Sequence, residues 1–176
     1  MPLVLISDEI RLLNKSVMAT GGLESTKYIV SEGEKTITRV LPETDVDIFK
    51  GRFNMSKGAI KIYNNAQEMV EIESGKISTK MVLKYDGNDS LYTISVIGDL
   101  DKDGIMGEIE LNHLIKNVVG VSEVELDQIE QKSADINGDG DINQIDITKL
   151  IRWIVYGELE IPEAQTSQAP VIKVIE

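Results

Sequence analysis

Two stretches of this sequence follow one pattern, DLDKDGIMGEIE at residues 99–110 and DINGDGDINQID at residues 135–146. The second begins 36 residues after the first. Both place an oxygen-bearing side chain at positions 1, 3 and 5, glycine at position 6 and a carboxylate at position 12. These are the ligand positions of a twelve-residue calcium loop, because a hard cation needs roughly six to eight oxygens and alternate residues must turn inward from one tight coil. We call the stretches loop 1 and loop 2, and each predicts a calcium site.

The ligand positions of both loops are strongly acidic. Loop 1 has four carboxylates there, and loop 2 has three together with an asparagine. Position 7 would offer its carbonyl, and position 9 would reach the ion through water or, in loop 2, through an asparagine side chain. This charge repels itself without a cation, so we predict two calcium ions and loops that loosen in chelator, whereas magnesium demands a tighter octahedron. Acidic turns that only cap helices are the alternative, which the tandem match disfavours. The predicted ligands are Asp99, Asp101, Asp103, Ile105 and Glu110 in loop 1, and Asp135, Asn137, Asp139, Asp141, Asn143 and Asp146 in loop 2.

An apolar stripe at helical spacing follows each loop, so each loop is expected to lead into a helix. Loop 1 is preceded by strand-like residues 92–96 rather than by a helix, which departs from an ordinary EF-hand. Residues 122–129 between the repeats predict a capped helix. The paired stripes are Leu111, Leu114, Ile115, Val118 and Val119 after loop 1, and Ile147, Leu150, Ile151, Ile154 and Val155 after loop 2.

The fold class predicted from these patterns is α+β: a small, mostly antiparallel β module with one helix, followed by an all-α pair of calcium loop–helix motifs. Val46, Phe49 and Phe53 lie on one face of a predicted helix of two to three turns, and Asp86-Gly87-Asn88 predicts a hairpin between two of four or five strands. The predicted organisation is an N-terminal arm or helix at 1–25, the α+β module at 26–98, the calcium-binding domain at 99–157, and a flexible tail ending in a candidate strand at 158–176.

Composition excludes several functional classes. The chain has 176 residues, a net charge of −12 and no cysteine, so nucleic-acid binding, disulfides and thiolate-bound zinc are disfavoured. One histidine, His113, leaves no basis for a nucleophile–base pair, so we expect no enzyme. No apolar run is long enough to span a bilayer. No basic, apolar signal pattern opens the sequence, so either export does not use a cleavable signal or the signal lies outside the sequence given.

At these loops the sequence resembles dockerins, the calcium-dependent modules of cellulosomes and related bacterial surface complexes. Residues 135–155 follow the dockerin pattern closely. Loop 1 departs from it, with Glu110 where Asp is usual and Gly107 where Asn or Ser is common. The preceding residues 28–98 resemble the small β-rich modules found before dockerins in clostridial surface proteins.

The resemblance implies a non-catalytic, extracellular or cell-surface adaptor that binds a cohesin-like domain through calcium-ordered helices. For Ile109 and Ile145, the alternative to partner binding is packing between the two loops. For Lys116 and Arg152, the alternative is that they are solvated charges on the helix surface. The partner-binding residues implied are Glu108, Ile109 and Lys116 in the first repeat, and Gln144, Ile145 and Arg152 in the second.

Two other functions fit parts of the sequence. A structural or decoration subunit of a large assembly, such as a phage virion or surface layer, would use calcium only for stability and pair its tail with a neighbour. A soluble calcium buffer or sensor is weaker, because loop 1 lacks the entering helix whose rotation opens a groove in sensors.

Overall fold

The computed structural model describes residues 22–54, 58–121 and 125–157. Most of the predicted arm and the whole of the predicted tail, residues 1–21 and 158–176, lie outside the described residues. The helices are α1 (Val46–Lys50), α2 (Glu108–Val118), α3 (Gln128–Ala134) and α4 (Gln144–Tyr156). The strands are β1 (Ile29–Ser31), β2 (Thr36–Val40), β3 (Ile60–Tyr63), β4 (Val82–Tyr85) and β5 (Tyr92–Val96).

The five strands form one mixed sheet in the order β1-β2-β5-β4-β3. Three neighbouring pairs are antiparallel, and β2 runs parallel to β5. The hairpin predicted at residues 86–88 joins β4 to β5. The α+β class with a mostly antiparallel sheet is therefore confirmed. The domain boundary after residue 98 stays a prediction.

Helix α1 is shorter than the sequence predicts, so the prediction of two to three turns was wrong. It ends at Lys50, and the N–H of Phe53 then donates to the carbonyl of Lys50, three residues back, in a tight turn. Phe53 still reaches the core, with its ring centroid 5.1 Å from that of Phe49 and 5.8 Å from that of Tyr28. The apolar spacing identified the buried face correctly, although a turn rather than a helix delivers its last member.

A second apolar cluster lies among the helices that follow the sheet. Leu114 of α2, Ala134 of α3 and Leu150 of α4 are fully buried at its centre. Ile97, directly after β5, belongs to this cluster, whereas Val96 belongs to the sheet's own core. Two consecutive residues therefore belong to different cores, immediately before loop 1.

Helix α3 begins later than the helix predicted at residues 122–129. Its N-cap is Asp127, whose side chain accepts the N–H groups of Ile129 and Glu130 while the Glu130 carboxylate accepts the N–H of Asp127. This reciprocal capping box sets the helix start. Residues 122–124 lie outside the described residues. Loop 2 consequently has an entering helix, whereas loop 1 is entered from β5 as predicted.

Buried hydroxyl groups connect α3 to the sheet. The Ser133 Oγ lies 3.0 Å from Thr79 Oγ1 and 2.9 Å from Ser95 Oγ. The Ser133 carbonyl also accepts the N–H of Gly98 at 2.8 Å. Because unpaired buried hydroxyls are costly, this group holds α3 in one register against the sheet.

No helix within the described ranges has the length and apolar character needed to cross a membrane.

Candidate metal centre

Loop 1 brings three carboxylates together. One oxygen each from Asp99, Asp101 and Asp103 can be chosen so that all three lie within 4.8 Å of one another. Asp101 and Asp103 are oriented by the loop itself, since Asp101 accepts the N–H of Asp103 at 3.1 Å and Asp103 accepts that of Ile105 at 2.7 Å. Such a set of hard oxygen donors suits a calcium ion.

Two oxygens of loop 1 are buried without a hydrogen-bond partner among the described residues. They are Asp99 Oδ1 and Glu110 Oε1, at positions 1 and 12 of the loop. Burial raises the pKa of both carboxyl groups, and the negative charges of Asp101 and Asp103 raise that of Glu110 further. A buried carboxylate oxygen without a partner is costly. A cation bound to such an oxygen would relieve this cost, so the donors of loop 1 fit calcium.

Loop 1 also lies directly against the β module. The backbone N–H of Thr79 donates to Asp99 Oδ2 at 2.6 Å, and the N–H of Glu43 donates to the carbonyl of Gly104 at 2.7 Å. A Cβ added to Gly104 would lie 2.5 Å from the carbonyl oxygen of Ile77. Gly104 has φ of +81° as well, so both the bend and the close approach require glycine.

Loop 2 engages its first and last carboxylates with its own backbone. Asp135 accepts the N–H groups of Gly138, Asp139 and Gly140 at 2.7 to 3.1 Å. Asp146 is fully buried and accepts three further N–H groups at 2.9 to 3.1 Å. The donors to Asp146 are Ile136, Asn137 and Asn143. Positions 1 and 12 are thus held in place by hydrogen bonds that close the loop on itself.

The remaining predicted ligands of loop 2 follow one another along its outer side. Asn137 and Asp139 are joined by a bond of 2.6 Å between Asn137 Nδ2 and Asp139 Oδ2, and Asp139 Oδ1 accepts the N–H of Asp141 at 2.9 Å. Asn143 caps α4 by accepting the N–H of Ile145 at 2.8 Å. Gly140 at position 6 has φ of +95°, as the bend requires.

The isoleucines at position 11 are exposed in both repeats. Ile109 is 57% exposed and Ile145 is 52% exposed, so neither packs between the loops. Their neighbours at position 10, Glu108 and Gln144, are exposed too. Lys116 and Arg152 occupy equivalent exposed positions further along α2 and α4. The structure therefore presents all six residues implied in partner binding on the surface.

Each predicted apolar stripe divides into an inner and an outer row. Ile115 and its equivalent Ile151 are 39% and 42% exposed, and Val119 and Val155 are both 60% exposed. The sequence predicts one stripe and misses this division, because residues four apart on a helix look equivalent until the packing partner is known. The inner row, which packs in the second cluster, is Leu111, Leu114 and Val118 with Ile147, Leu150 and Ile154.

The side-chain contact of Arg39 and the backbone contact of Thr79 with the loops were not predicted. The Arg39 guanidinium donates to the carbonyls of Asp135 and Ile136, 96 and 97 residues away in sequence. Thr79 donates to Asp99 across 20 residues. No local pattern marks either residue, because the contacts arise only when the sheet and loops are assembled.

Comparison with protein families supports the assignment of the loops. Residues 97–155, which are 59 of the 176 in the chain, match the type I dockerin domain family. The resemblance of this region to dockerins is thereby confirmed. Dockerin domains are calcium-binding, non-catalytic modules of protein–protein interaction whose partners are of the cohesin type. Neither the curated proteins nor the solved structures yielded a match.

Proposed function

We propose that this chain is a calcium-dependent adaptor that docks onto a cohesin-like domain through α2 and α4. The observation that carries the proposal is the coincidence of two features in each repeat: a twelve-residue acidic loop, and a helix that begins at position 10 of that loop and carries an exposed apolar row. The dockerin family match supports the class of partner. An extracellular or cell-surface location agrees with that class.

Two calcium ions are part of the proposal, one in each loop. In loop 1 the ligands would be Asp99, Asp101, Asp103 and Glu110, with the carbonyl of Ile105. In loop 2 they would be Asp135, Asn137, Asp139 and Asp146, with Asp141 through its carbonyl and Asn143 at position 9. The ions would stabilise the loops from which α2 and α4 begin, and hence the relative orientation of the two helices.

The docking face would consist of equivalent residues from the two repeats. Isoleucine at position 11 supplies apolar contact on both helices, while Lys116 and Arg152 supply positive charge to an otherwise acidic chain. Exposed apolar side chains grouped at repeat-related positions are typical of interaction surfaces. The outer row of Ile115, Val119, Ile151 and Val155 enlarges the face beyond the residues that the resemblance implies.

Calcium dependence is tested by immobilising the chain and passing recombinant type I cohesin domains over it by surface plasmon resonance, in calcium and in chelator. We expect binding only in calcium, and expect Asp135→Ala with Asp139→Ala to abolish it. Asp86→Ala with Asp89→Ala removes the same charge from the β4–β5 turn and should leave binding unchanged. Binding that survives the loop 2 changes would remove calcium from the docking role.

The docking face is tested separately with Ile109→Asp and Ile145→Asp. The double variant should lose cohesin binding while retaining its calcium affinity. Ile29→Asp with Ile48→Asp alters two exposed isoleucines of the β module, which are 45% and 53% exposed, and should bind normally. If no cohesin domain binds the wild-type chain and calcium only raises its thermal stability or self-association, the structural-subunit function replaces the adaptor.

A further inference from the structure

We propose that Arg39 of the β module is a positioning residue for loop 2, so that the module presets the second calcium site. This inference rests on the proposed function of loop 2 as a calcium site and goes beyond it, because it assigns part of that site to a residue outside the dockerin-like region. The module would then contribute to calcium affinity as well as to folding.

The backbone of β2 is distorted at the point from which Arg39 projects. The register between β2 and β5 shifts between Ile37 and Val40. Arg39 itself has φ of +65°, a left-handed conformation that is unfavourable for a residue with a side chain. Irregularities of this kind re-aim a side chain out of the regular alternation of a strand. Here the re-aimed side chain is the one that reaches loop 2.

The guanidinium of Arg39 donates hydrogen bonds to two consecutive carbonyls at the start of loop 2. Its Nη1 donates to the carbonyl of Asp135 at 3.2 Å, and its Nη2 donates to that of Ile136 at 3.1 Å. A planar fork of donors can satisfy two acceptors at once, which a lysine ammonium cannot match in geometry. The pair of bonds therefore fixes the backbone from which the position 1 ligand projects.

Because Gly138, at position 4 of loop 2, has no side chain, the Arg39 guanidinium can lie against it. A Cβ added there would lie 3.0 Å from Arg39 Nη1 and 3.2 Å from Arg39 Cζ, and the residue has φ of +78°. In loop 1 the same position is Lys102, with φ of +73°, and its ammonium pairs with Glu130 at 3.0 Å. Glycine at position 4 of loop 2 thus accommodates an arginine from outside the loop, whereas the lysine at position 4 of loop 1 is directed to α3.

The Arg39 guanidinium is partly buried beside the acidic loop 2. Burial lowers the pKa of its guanidinium, and the negative charges of Asp135 and Asp146 act in the opposite direction. An arginine so placed stays protonated. It therefore offsets the mutual repulsion of the first and last carboxylates of loop 2 while holding the loop's backbone.

Two opposing effects on calcium affinity follow, and they are distinguishable. A preset loop loses less conformational entropy on binding, which tightens calcium binding. A guanidinium close to the ion repels it, which weakens calcium binding. Because both hydrogen bonds go to backbone carbonyls rather than to the ligand carboxylates, we infer that positioning is the larger effect.

The test measures calcium affinity of loop 2 by isothermal titration in the full chain, with Glu110→Gln present throughout to disable loop 1. Arg39→Lys keeps the charge and loses the fork, and we expect calcium binding to weaken about tenfold, the loss expected for one hydrogen bond from a charged donor. Arg52→Lys, an exposed arginine of the same module, is the control and should leave the affinity unchanged. Fluorescence of the single tryptophan, Trp153 on α4, reports whether each variant is folded.

A second variant keeps the test decisive if Arg39→Lys does not fold. Gly138→Ala displaces the guanidinium without altering Arg39, and should also weaken calcium binding about tenfold. Gly140→Ala, at a glycine of the same loop with φ of +95° and open space around it, controls for left-handed strain alone, and Gly138→Ala should weaken calcium binding more than Gly140→Ala does.

The possible results separate this inference from the proposed function. Unchanged affinity in both variants would mean that Arg39 only fastens the module to the helices. Tighter binding in Gly138→Ala would mean that the guanidinium acts as a repelling charge, and tighter binding in Arg39→Lys would mean that its two hydrogen bonds hold the loop away from the binding geometry; either result would overturn the inference. If the chain with an intact Arg39 binds no calcium at loop 2, the proposed function itself is wrong.

Discussion

Loop 1 and loop 2 follow the same twelve-residue pattern but balance their negative charge in different ways. In loop 1, Asp99 and Glu110 each keep one buried oxygen without a hydrogen-bond partner among the described residues. In loop 2, Asp135 and Asp146 together accept six backbone N–H groups from within the loop. The same sequence pattern therefore leaves the first and last carboxylates with different hydrogen-bond partners, and we expect the two loops to differ in how much they depend on an ion.

The environment of each loop explains the contrast. Loop 1 is entered from β5 and packs against the module, where Gly104 lies close to the carbonyl of Ile77. The N–H of Thr79 donates to only one oxygen of Asp99. Loop 2 is entered from α3 and receives a guanidinium from Arg39 at its first two carbonyls. We therefore expect loop 1 to depend on calcium more strongly than loop 2.

Removal of calcium should produce the largest effect. At free calcium about a thousandfold above the dissociation constant, one site stabilises the folded chain by about 4 kcal/mol, and chelator removes that contribution. Both loops are expected to loosen, but the buried unpaired oxygens of residues 99–110 should make amide exchange there accelerate more than in residues 135–146. Hydrogen–deuterium exchange read by mass spectrometry measures both segments, with β4 as the internal reference. Equal or faster acceleration in loop 2 would contradict the comparison.

Substitution of the glycine at position 6 should have the next largest effect on stability, and the size of that effect should differ between the two loops. Gly140→Ala introduces only left-handed strain, because a Cβ there meets open space, and should cost roughly 1 to 2 kcal/mol of unfolding free energy. Gly104→Ala carries the same strain and also drives a Cβ to 2.5 Å from a backbone oxygen, so we expect a further loss of roughly 1 to 3 kcal/mol. Urea unfolding in calcium measures both variants. Equal losses would show that loop 1 is not confined by the module.

Neutralising the last ligand should have opposite consequences in the two loops when chelator is present. Asp146→Asn leaves one side-chain oxygen to accept three N–H groups, and should destabilise the folded chain by about 2 kcal/mol. Glu110→Gln can keep the bond from the N–H of Gly107 while removing a buried charge, so stability should be unchanged or higher. Thermal unfolding in chelator compares the two variants. A destabilised Glu110→Gln protein would show that loop 1 is satisfied without a cation.

Those features that depend on local spacing could be predicted from the sequence. Position-by-position matching identified the acidic positions of both loops, and the match is independent of how the loops pack. The hairpin at residues 86–88 and the buried face formed by Phe49 and Phe53 are equally local. Loop 1 was correctly expected to follow a strand, because the alternating residues 92–96 leave no room for an entering helix.

The features that could not be predicted depend on contacts between distant segments. The start of α3 is an exception, because it is set locally by the capping box of Asp127 and Glu130 and lies later than the start predicted at residue 122. The hydrogen bonds from Arg39 to loop 2 form only because an irregular strand lies beside a glycine 99 residues later in the sequence. The outer rows of α2 and α4 become visible only when the packing of the inner rows is known.

The smallest effect is expected at the ion pairs that hold α3, the helix entering loop 2, against the module. Lys80 contacts Asp127 and Glu130, both at 2.7 Å, and the Glu130 side chain is only 12% exposed. Lys84 has similar exposure, 35% against 33%, but its partner Asp89 is fully exposed. Because an ion pair contributes more when its partner is withdrawn from water, Lys80→Met should cost about 1 kcal/mol and Lys84→Met nothing measurable.

This last comparison also tests whether the support of loop 2 reaches beyond Arg39. If α3 helps to preset the loop, Lys80→Met should accelerate amide exchange in residues 135–146 more than in residues 99–110, whereas Lys84→Met should change neither. Lys102 also contacts Glu130 at 3.0 Å and stays in place, so the loss at Lys80 is partial. Acceleration confined to loop 1 would show that the ion pairs act through Lys102, and would place the support of loop 2 in Arg39 alone.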